Sequence, residues 1–366
     1  MKFAPTLCLL LPIFCSSAGA AAPAGPWGHR FFTENFGFRR EVMSQFAYSQ
    51  NNKEEKNSLA SGAASRQSMG FEALKKVSSQ ARTWSSFDFQ GRLVRRDGRA
   101  PAQNDAEGAA RPDWSFEYHN VYVDFYDALD PLLGAARRGA AAGRFNIRVG
   151  RFYVPFGLNL QTDTHGTVLQ LSNAQNFGFE RDWHAGLWGG LTDELDYGLY
   201  YLAGSGYHLK LKGQSGLAAG RVSLAGMFLS EYGLEGGASY LVGERLDSSG
   251  RVKTMRTGVD GRWQRPIPRG TLVWTSELSL GRDASDEAAT QLHQLEYLHA
   301  SRRWGLAAQM RKFPAQSSVI AEATWYLRND AANAKLHWFK LNLERQIRRR
   351  LGPRDWIATL QYYRYW

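Results

Sequence analysis

The chain has 366 residues, enough for two ordinary globular domains or for one large barrel. Its formal net charge is +11. No helix or compact domain gathers the basic residues on one face, so we predict no nucleic-acid binding. We also predict that the protein is not an enzyme, because its Ser, His and Asp residues form no recognisable catalytic motif.

Residues 1–20 have the features of a secretory signal peptide. A basic start is followed by an apolar run from Leu7 to Phe14, and Ala18-Gly19-Ala20 offers a small-residue cleavage site. We therefore expect export. Beyond this segment, no stretch reaches the length of apolar sequence that a membrane-spanning helix needs.

The cysteines point to the same compartment. Cys8 and Cys15 are the only two in the chain, and both lie within the predicted signal peptide. The mature chain would then contain no thiol, as suits an oxidising periplasm or outer membrane. It would bind no haem covalently and hold no cofactor of its own.

Residues 21–70 are less clearly patterned. Arg40–Ser49 and Gly70–Lys76 each have the composition of a strand, whereas 51–68 is polar and could be a loop, a linker or part of a plug. We assign 21–70 to an N-terminal segment that is partly disordered or supplies the first strand or strands. The barrel itself is placed at residues 71–366.

From residue 81 onward, apolar and polar side chains alternate with a period of two, which indicates strands with one oily and one polar face. Clear cases are Phe87–Leu93, Leu272–Leu280, Trp304–Met310, Val319–Leu327 and Phe339–Leu343. We expect the strands that contain these stretches to be about nine to eleven residues long, as in a strand tilted across a bilayer. About fourteen such strands and the two upstream candidates predict an all-β, transmembrane antiparallel β-barrel of about 16 strands.

The spacing of the strands predicts connections of alternating length. Long connections are expected at 157–184, 204–216, 243–251, 282–290 and 347–355, and tight ones at 192–194, 229–231, 265–270 and 301–303. Tryptophan and tyrosine also cluster near strand ends, as in interfacial girdles. Both features are typical of outer-membrane barrels with short periplasmic turns and longer extracellular loops.

One stretch has a family resemblance. The sequence FNIRVGRFYVPFGLNLQTDTHG (Phe145–Gly166) resembles porins of the phosphate-selective type, and with GFERDWHAGLWG (Gly178–Gly189) it is similar to the barrel subunits of porin–cytochrome conduits. The resemblance implies a membrane barrel. The apolar positions shift by one residue after Gly150, which predicts a β-bulge there.

The long connection after this strand is a candidate constriction loop, folded inward to narrow the pore. Its polar residues are Asp163, His165, Glu180, Arg181, Asp182 and His184. We predict no metal site, because the spacing of the two histidines fits no known ligand pattern.

Charged residues that alternate with apolar ones are expected to face the lumen. The predicted pore-lining set is Arg144, Arg148, Arg256, Asp260, Arg262, Glu277, Glu322, Arg328, Lys340 and Glu344. A lipid-facing charge at mid-membrane would cost about 2–4 kcal/mol, so several at once are unfavourable on the outside.

The chain ends in DWIATLQYYRYW, which resembles the C-terminal strand that the barrel-insertion machinery reads in outer-membrane proteins. Trp356, Leu360, Tyr362 and Trp366 share one face of it. We expect this strand to pair with the first strand and close the barrel, since a barrel has no free edge.

These features predict a protein of the bacterial outer membrane, in contact with its lipid and, through basic clusters, with lipopolysaccharide. Two functions remain open. The first is a water-filled channel for small solutes, where lumen arginines would favour anions. The second is a sheath for a separate multihaem c-type cytochrome, in which case haem enters only through that partner.

Overall fold

The computed structural model describes residues 35–51, 62–79, 82–97, 113–129, 143–158, 180–209, 215–247, 250–314, 316–330, 335–348 and 354–366. Sixteen strands lie within these ranges: β1 (Phe36–Asn51), β2 (Gly62–Ser79), β3 (Arg82–Asp97), β4 (Ser115–Phe125), β5 (Asn146–Tyr153), β6 (Arg181–Gly190), β7 (Leu195–Leu202), β8 (Gly216–Leu224), β9 (Leu234–Asp247), β10 (Gly250–Ile267), β11 (Gly270–Asp283), β12 (Asp286–His299), β13 (Trp304–Lys312), β14 (Gln316–Asp330), β15 (Lys335–Arg348) and β16 (Arg354–Tyr365). The predicted all-β class and strand number are confirmed.

The sheet closes on itself. Each strand pairs antiparallel with its neighbours in sequence, and β16 pairs with β1. At the seam, the Trp366 N–H donates to the Arg40 carbonyl (3.0 Å) and the Arg40 N–H donates to the Trp366 carbonyl (2.8 Å). Closure leaves no unpaired edge among the sixteen described strands.

The barrel begins earlier than residue 71, where the sequence placed its start. β1 and β2 are both needed to complete the ring, and β2 includes residues 62–68 of the polar stretch read as a loop, linker or plug. These residues looked unlike a strand because Ser65 and Gln67 on the outer face are polar, as are the buried Arg66 and Ser68 on the inner face. The predicted signal peptide at 1–20 lies outside the described residues.

Polar and apolar residues are distributed inside out relative to a water-soluble protein. On β15, Phe339, Leu341 and Leu343 are 42–48% exposed on the outer face, whereas Lys340 and Asn342 between them are buried. The same alternation runs through β10 to β16. An outer belt of exposed aliphatic and aromatic side chains is the surface that a lipid bilayer, rather than water, accommodates.

Strand and loop lengths differ in part from expectation. Strands span 8 to 18 residues, rather than nine to eleven. Long loops were predicted between β9 and β10 and between β11 and β12, but these strands are separated only by 248–249 and 284–285. The connections are short because the strand pairing continues past the apolar belt, to pairs such as Asp283 with Asp286. The long connections after β5 and β7 are as predicted.

The tight turn expected at 229–231 is instead a short helix, α1 (Gly226–Tyr232). It joins β8 to β9 at the end of the barrel that holds Phe36 and Trp366, called here the terminal end. In the described part of the chain, no helix has the length and apolar character to span a membrane.

The bulge predicted at Gly150 is wrong. β5 keeps one unbroken register with both β4 and β6 through that residue. Phe152 faces the same way as Arg148, whose guanidinium lies 4.3 Å from its ring centroid. The apolar positions shift because aromatic side chains turn into the lumen there, not because the strand slips.

Candidate functional site: the lumen and its constriction segment

A segment that follows β5 runs across the inside of the barrel. This constriction segment, Val154–Leu158, reaches strands on a different part of the wall: the Gly157 N–H donates to the Ser239 hydroxyl of β9 (3.1 Å), and the Leu158 N–H donates to Glu277 Oε1 of β11 (3.1 Å). The start of the predicted constriction loop therefore does fold inward.

Two glycines permit this path. Gly157 has a φ of +67°, and a Cβ there would lie 2.9 Å from Glu277 Oε2. Gly258 of β10 leaves space for the Phe156 ring, since a Cβ on it would come within 2.7 Å of the ring. Only glycine meets both the left-handed conformation at 157 and the close approach at 258 without strain.

An apolar patch on the inner wall holds the segment in place. Val154 and Phe156 pack in a buried cluster with inward-facing residues of β7, β8 and β9: Tyr200, Leu202, Leu217, Ala219 and Leu241. Sequence reasoning missed this patch because the inner face was assumed to be polar. A run of apolar residues on both faces of β7 and β8 was the available signal.

Those predicted polar residues of the loop that the structure describes lie at the start of β6, beyond the constriction segment. Asp163 and His165 lie outside the described residues. Glu180 precedes β6, and Arg181, Asp182 and His184 begin it, all four buried. Asp182 accepts the backbone N–H groups of Gly204 (2.6 Å) and Gly206 (2.9 Å), so it secures the β7–β8 connection.

Arg148 lies at the centre of an aromatic group on the inner wall. Its guanidinium donates to both carboxylate oxygens of Asp124 (2.7 and 2.8 Å) and lies 4.4 Å from the Tyr122 ring centroid and 5.5 Å from that of Trp188. Cation–π contact and a two-point ion pair together fix its position beside the entry of the constriction segment.

Most of the predicted pore-lining residues do lie on the inner face: Arg148, Arg256, Asp260, Arg262, Glu277, Glu322, Lys340 and Glu344. Their cations are paired with carboxylates. Pairs on the described inner face include Arg148–Asp124, Arg221–Asp260, Arg256–Asp283 (2.6 Å), Arg262–Glu235 (3.2 Å), Arg311–Glu344 and Lys340–Glu322 (3.0 Å). The sequence could not reveal the pairing, because each partner sits on another strand.

Two members of the predicted set are not in the lumen. Arg144 lies in the turn before β5 on the outer rim, 46% exposed and 4.0 Å from Asp193. Arg328 follows a break in register between β14 and β15, is 55% exposed, and contacts Asp330 at 3.5 Å. Both were assigned by alternation, which holds only where the strand pairing is regular.

The terminal strand has the predicted faces. Trp356, Leu360 and Trp366 are exposed on the outside, and Tyr362 on the same face is half-buried. The buried inward residues are Ile357, Thr359, Gln361 and Tyr363. Arg364 also points outward, and its guanidinium lies 4.7 Å from the Trp366 ring centroid.

No family model matches the chain, and no curated protein matches it. Solved structures do. OprB from Pseudomonas putida is similar with a TM-score of 0.59 and 11% identity, over 93% of this chain and 97% of that one. An anion-selective porin from Comamonas acidovorans has a TM-score of 0.56 and 9% identity, over 90% and 99%. OmpF from Salmonella typhi, solved with daunomycin, has a TM-score of 0.55 and 12% identity, over 90% and 97%.

Because these three structures share only 9–12% sequence identity with the chain, the similarity establishes the fold alone. The chain is a porin-like β-barrel, as the sequence resemblance implied.

Proposed function

We propose that the protein is an outer-membrane porin, a water-filled channel through which small polar solutes diffuse. The observation that carries this proposal is a polar lumen crossed by the constriction segment. A barrel of sixteen strands is wide enough to enclose water, and a segment fixed across it sets an upper limit on solute size. The porin fold of the structural neighbours supports the same function.

The pairing of the lumen charges bears on selectivity. One of the structural neighbours is an anion-selective porin, and the chain carries a net charge of +11. However, the inner-face arginines and Lys340 named above each contact a carboxylate, so their fields largely cancel a short distance away. We therefore propose a general diffusion channel with weak ion selectivity.

The alternative, a sheath around a multihaem cytochrome, has less support. Such a sheath needs a lumen clear enough to admit a folded protein. The constriction segment is held inside the barrel by two backbone hydrogen bonds and by the apolar patch on β7 to β9. A partner in the lumen would have to displace it.

Reconstitution of the purified protein alone separates the two functions. In a planar bilayer, we expect stepwise conductance increases as single barrels insert, and in liposomes we expect swelling with small sugars that stops above a size limit. Barrels that are inserted, as judged by heat-modifiable mobility, but carry no current would refute the channel. Conductance gained only after the constriction segment is removed would favour the sheath.

A further inference from the structure

The outer face of the barrel has a groove next to the terminal end. It has a volume of about 840 Å³ and runs across β6 to β9. Its walls are outward-facing apolar side chains, among them Leu187, Leu199, Val222 and Tyr240. The groove is deepest at Gly220 and Ala238. These two residues carry little or no side chain, whereas the lining residues beside them are large.

The basic side chain of Arg144 lies at the end of this groove nearest the terminal end. The Arg144 guanidinium is about half exposed, and Asp193, 91% exposed itself, lies 4.0 Å away. The Tyr197 hydroxyl donates to the Arg144 carbonyl (2.8 Å), and the Gly190 N–H donates to the Gly143 carbonyl (3.2 Å). These two hydrogen bonds fix the turn to β6 and β7 and thereby hold Arg144 at the rim of the barrel.

We propose that this groove binds one glycerophospholipid, with its phosphate at Arg144 and an acyl chain along the apolar floor. The two parts of the site match the two parts of such a molecule. A guanidinium at the membrane rim suits a phosphate, and a slot leading from it toward mid-membrane, lined by Leu199 and Val222, suits an alkyl chain.

The charge at the mouth argues against a second copy of the chain as the occupant. A second barrel would bring another belt of aliphatic and aromatic side chains against the groove, whereas a phospholipid brings a phosphate to Arg144. The leaflet also matters. The tight turns after β6 and β10 lie at the terminal end, and short turns are typical of the periplasmic side, so we place this end in the periplasm, where the neighbouring lipid is phospholipid rather than lipopolysaccharide. The inference rests on this orientation but not on conduction.

Native mass spectrometry of detergent-refolded protein with added phosphatidylglycerol tests the proposal. We expect wild type to retain one lipid per barrel. Arg144→Gln should weaken retention about tenfold, the loss expected for a charge-assisted hydrogen bond. Ala238→Trp should abolish it, because an indole fills the slot; Val222→Trp is a second filling variant in case the first does not fold.

Two matched substitutions serve as controls. Arg269 lies in another turn at the terminal end, with its carbonyl held by the Tyr297 hydroxyl at 2.8 Å, but away from the groove. Ala321 is an exposed outward alanine on β14. Arg269→Gln and Ala321→Trp should bind lipid as wild type does. Equal retention in all variants, no lipid on wild type, or retention of lipid A in place of phosphatidylglycerol would each overturn the proposal.

Discussion

Removing one partner of the Arg221–Asp260 ion pair should change the ion selectivity of the channel, with a sign that depends on which partner is removed. Both side chains are nearly buried on the inner wall beside the constriction segment, and Arg221 Nη2 lies 2.7 Å from Asp260 Oδ1. Asp260→Asn leaves a positive charge and Arg221→Gln a negative one. An ion passing about 6 Å away in water would gain or lose roughly 0.7 kcal/mol, or about 0.4 kcal/mol after screening at 0.1 M salt.

Chloride and potassium shift in opposite directions, so the permeability ratio should change about threefold to fourfold at 0.1 M. The measurement is the zero-current potential of single channels under a salt gradient. Asp260→Asn should move it toward anions and Arg221→Gln toward cations. At 1 M the Debye length falls to about 3 Å, and most of the effect should disappear.

The double variant, with both Arg221→Gln and Asp260→Asn, removes one positive and one negative charge. It should therefore return the zero-current potential to the wild-type value. Arg328→Gln, a change at the outer rim, should have no effect. The reasoning fails if both single variants conduct but shift the potential in the same direction, or if neither shifts it. Either result would mean that this pair does not face the permeation path.

Three further changes test other parts of the structure. Phe156→Ala should raise single-channel conductance by loosening the constriction segment, whereas Phe339→Ala, a lipid-facing change, should not; equal conductance in both would disprove the narrowing role. Deletion of Trp366 should lower the fraction of heat-modifiable, folded barrel, because the residue completes the β1–β16 seam; normal folding would show that the seam does not need it. Leu341→Arg should lower the free energy of unfolding by about 2–4 kcal/mol in bilayers, measured by denaturant titration, and no loss would place that face away from lipid.

The architecture was largely readable from the sequence because it depends on local pattern. Alternation with a period of two places successive side chains on opposite faces, so Phe339, Leu341 and Leu343 could be assigned outward and Lys340 inward without any structure. The same logic identified β16 as the strand that closes the ring. It failed at Arg144 and Arg328, where turns and register breaks interrupt the pattern.

Aromatic residues were harder to interpret. Trp304, Trp325 and Trp356 are exposed on the outer face, as a girdle requires, but Trp338 is buried on the inner face against Tyr363. Position near a strand end does not tell which face an aromatic ring occupies. Trp338 lies inside because it shares the face of Lys340, two residues on.

The sequence by itself determined the number of strands and, where the strand pairing is regular, their inner and outer faces, because both follow from hydrophobicity over a few consecutive residues. Only the tertiary structure decided what the lumen contains. The constriction segment contacts Ser239 and Glu277, 82 and 119 residues away, and each lumen cation named above contacts a carboxylate on another strand. Such contacts depend on the closure of the barrel, which brings residues together across a ring and leaves no trace in the local pattern.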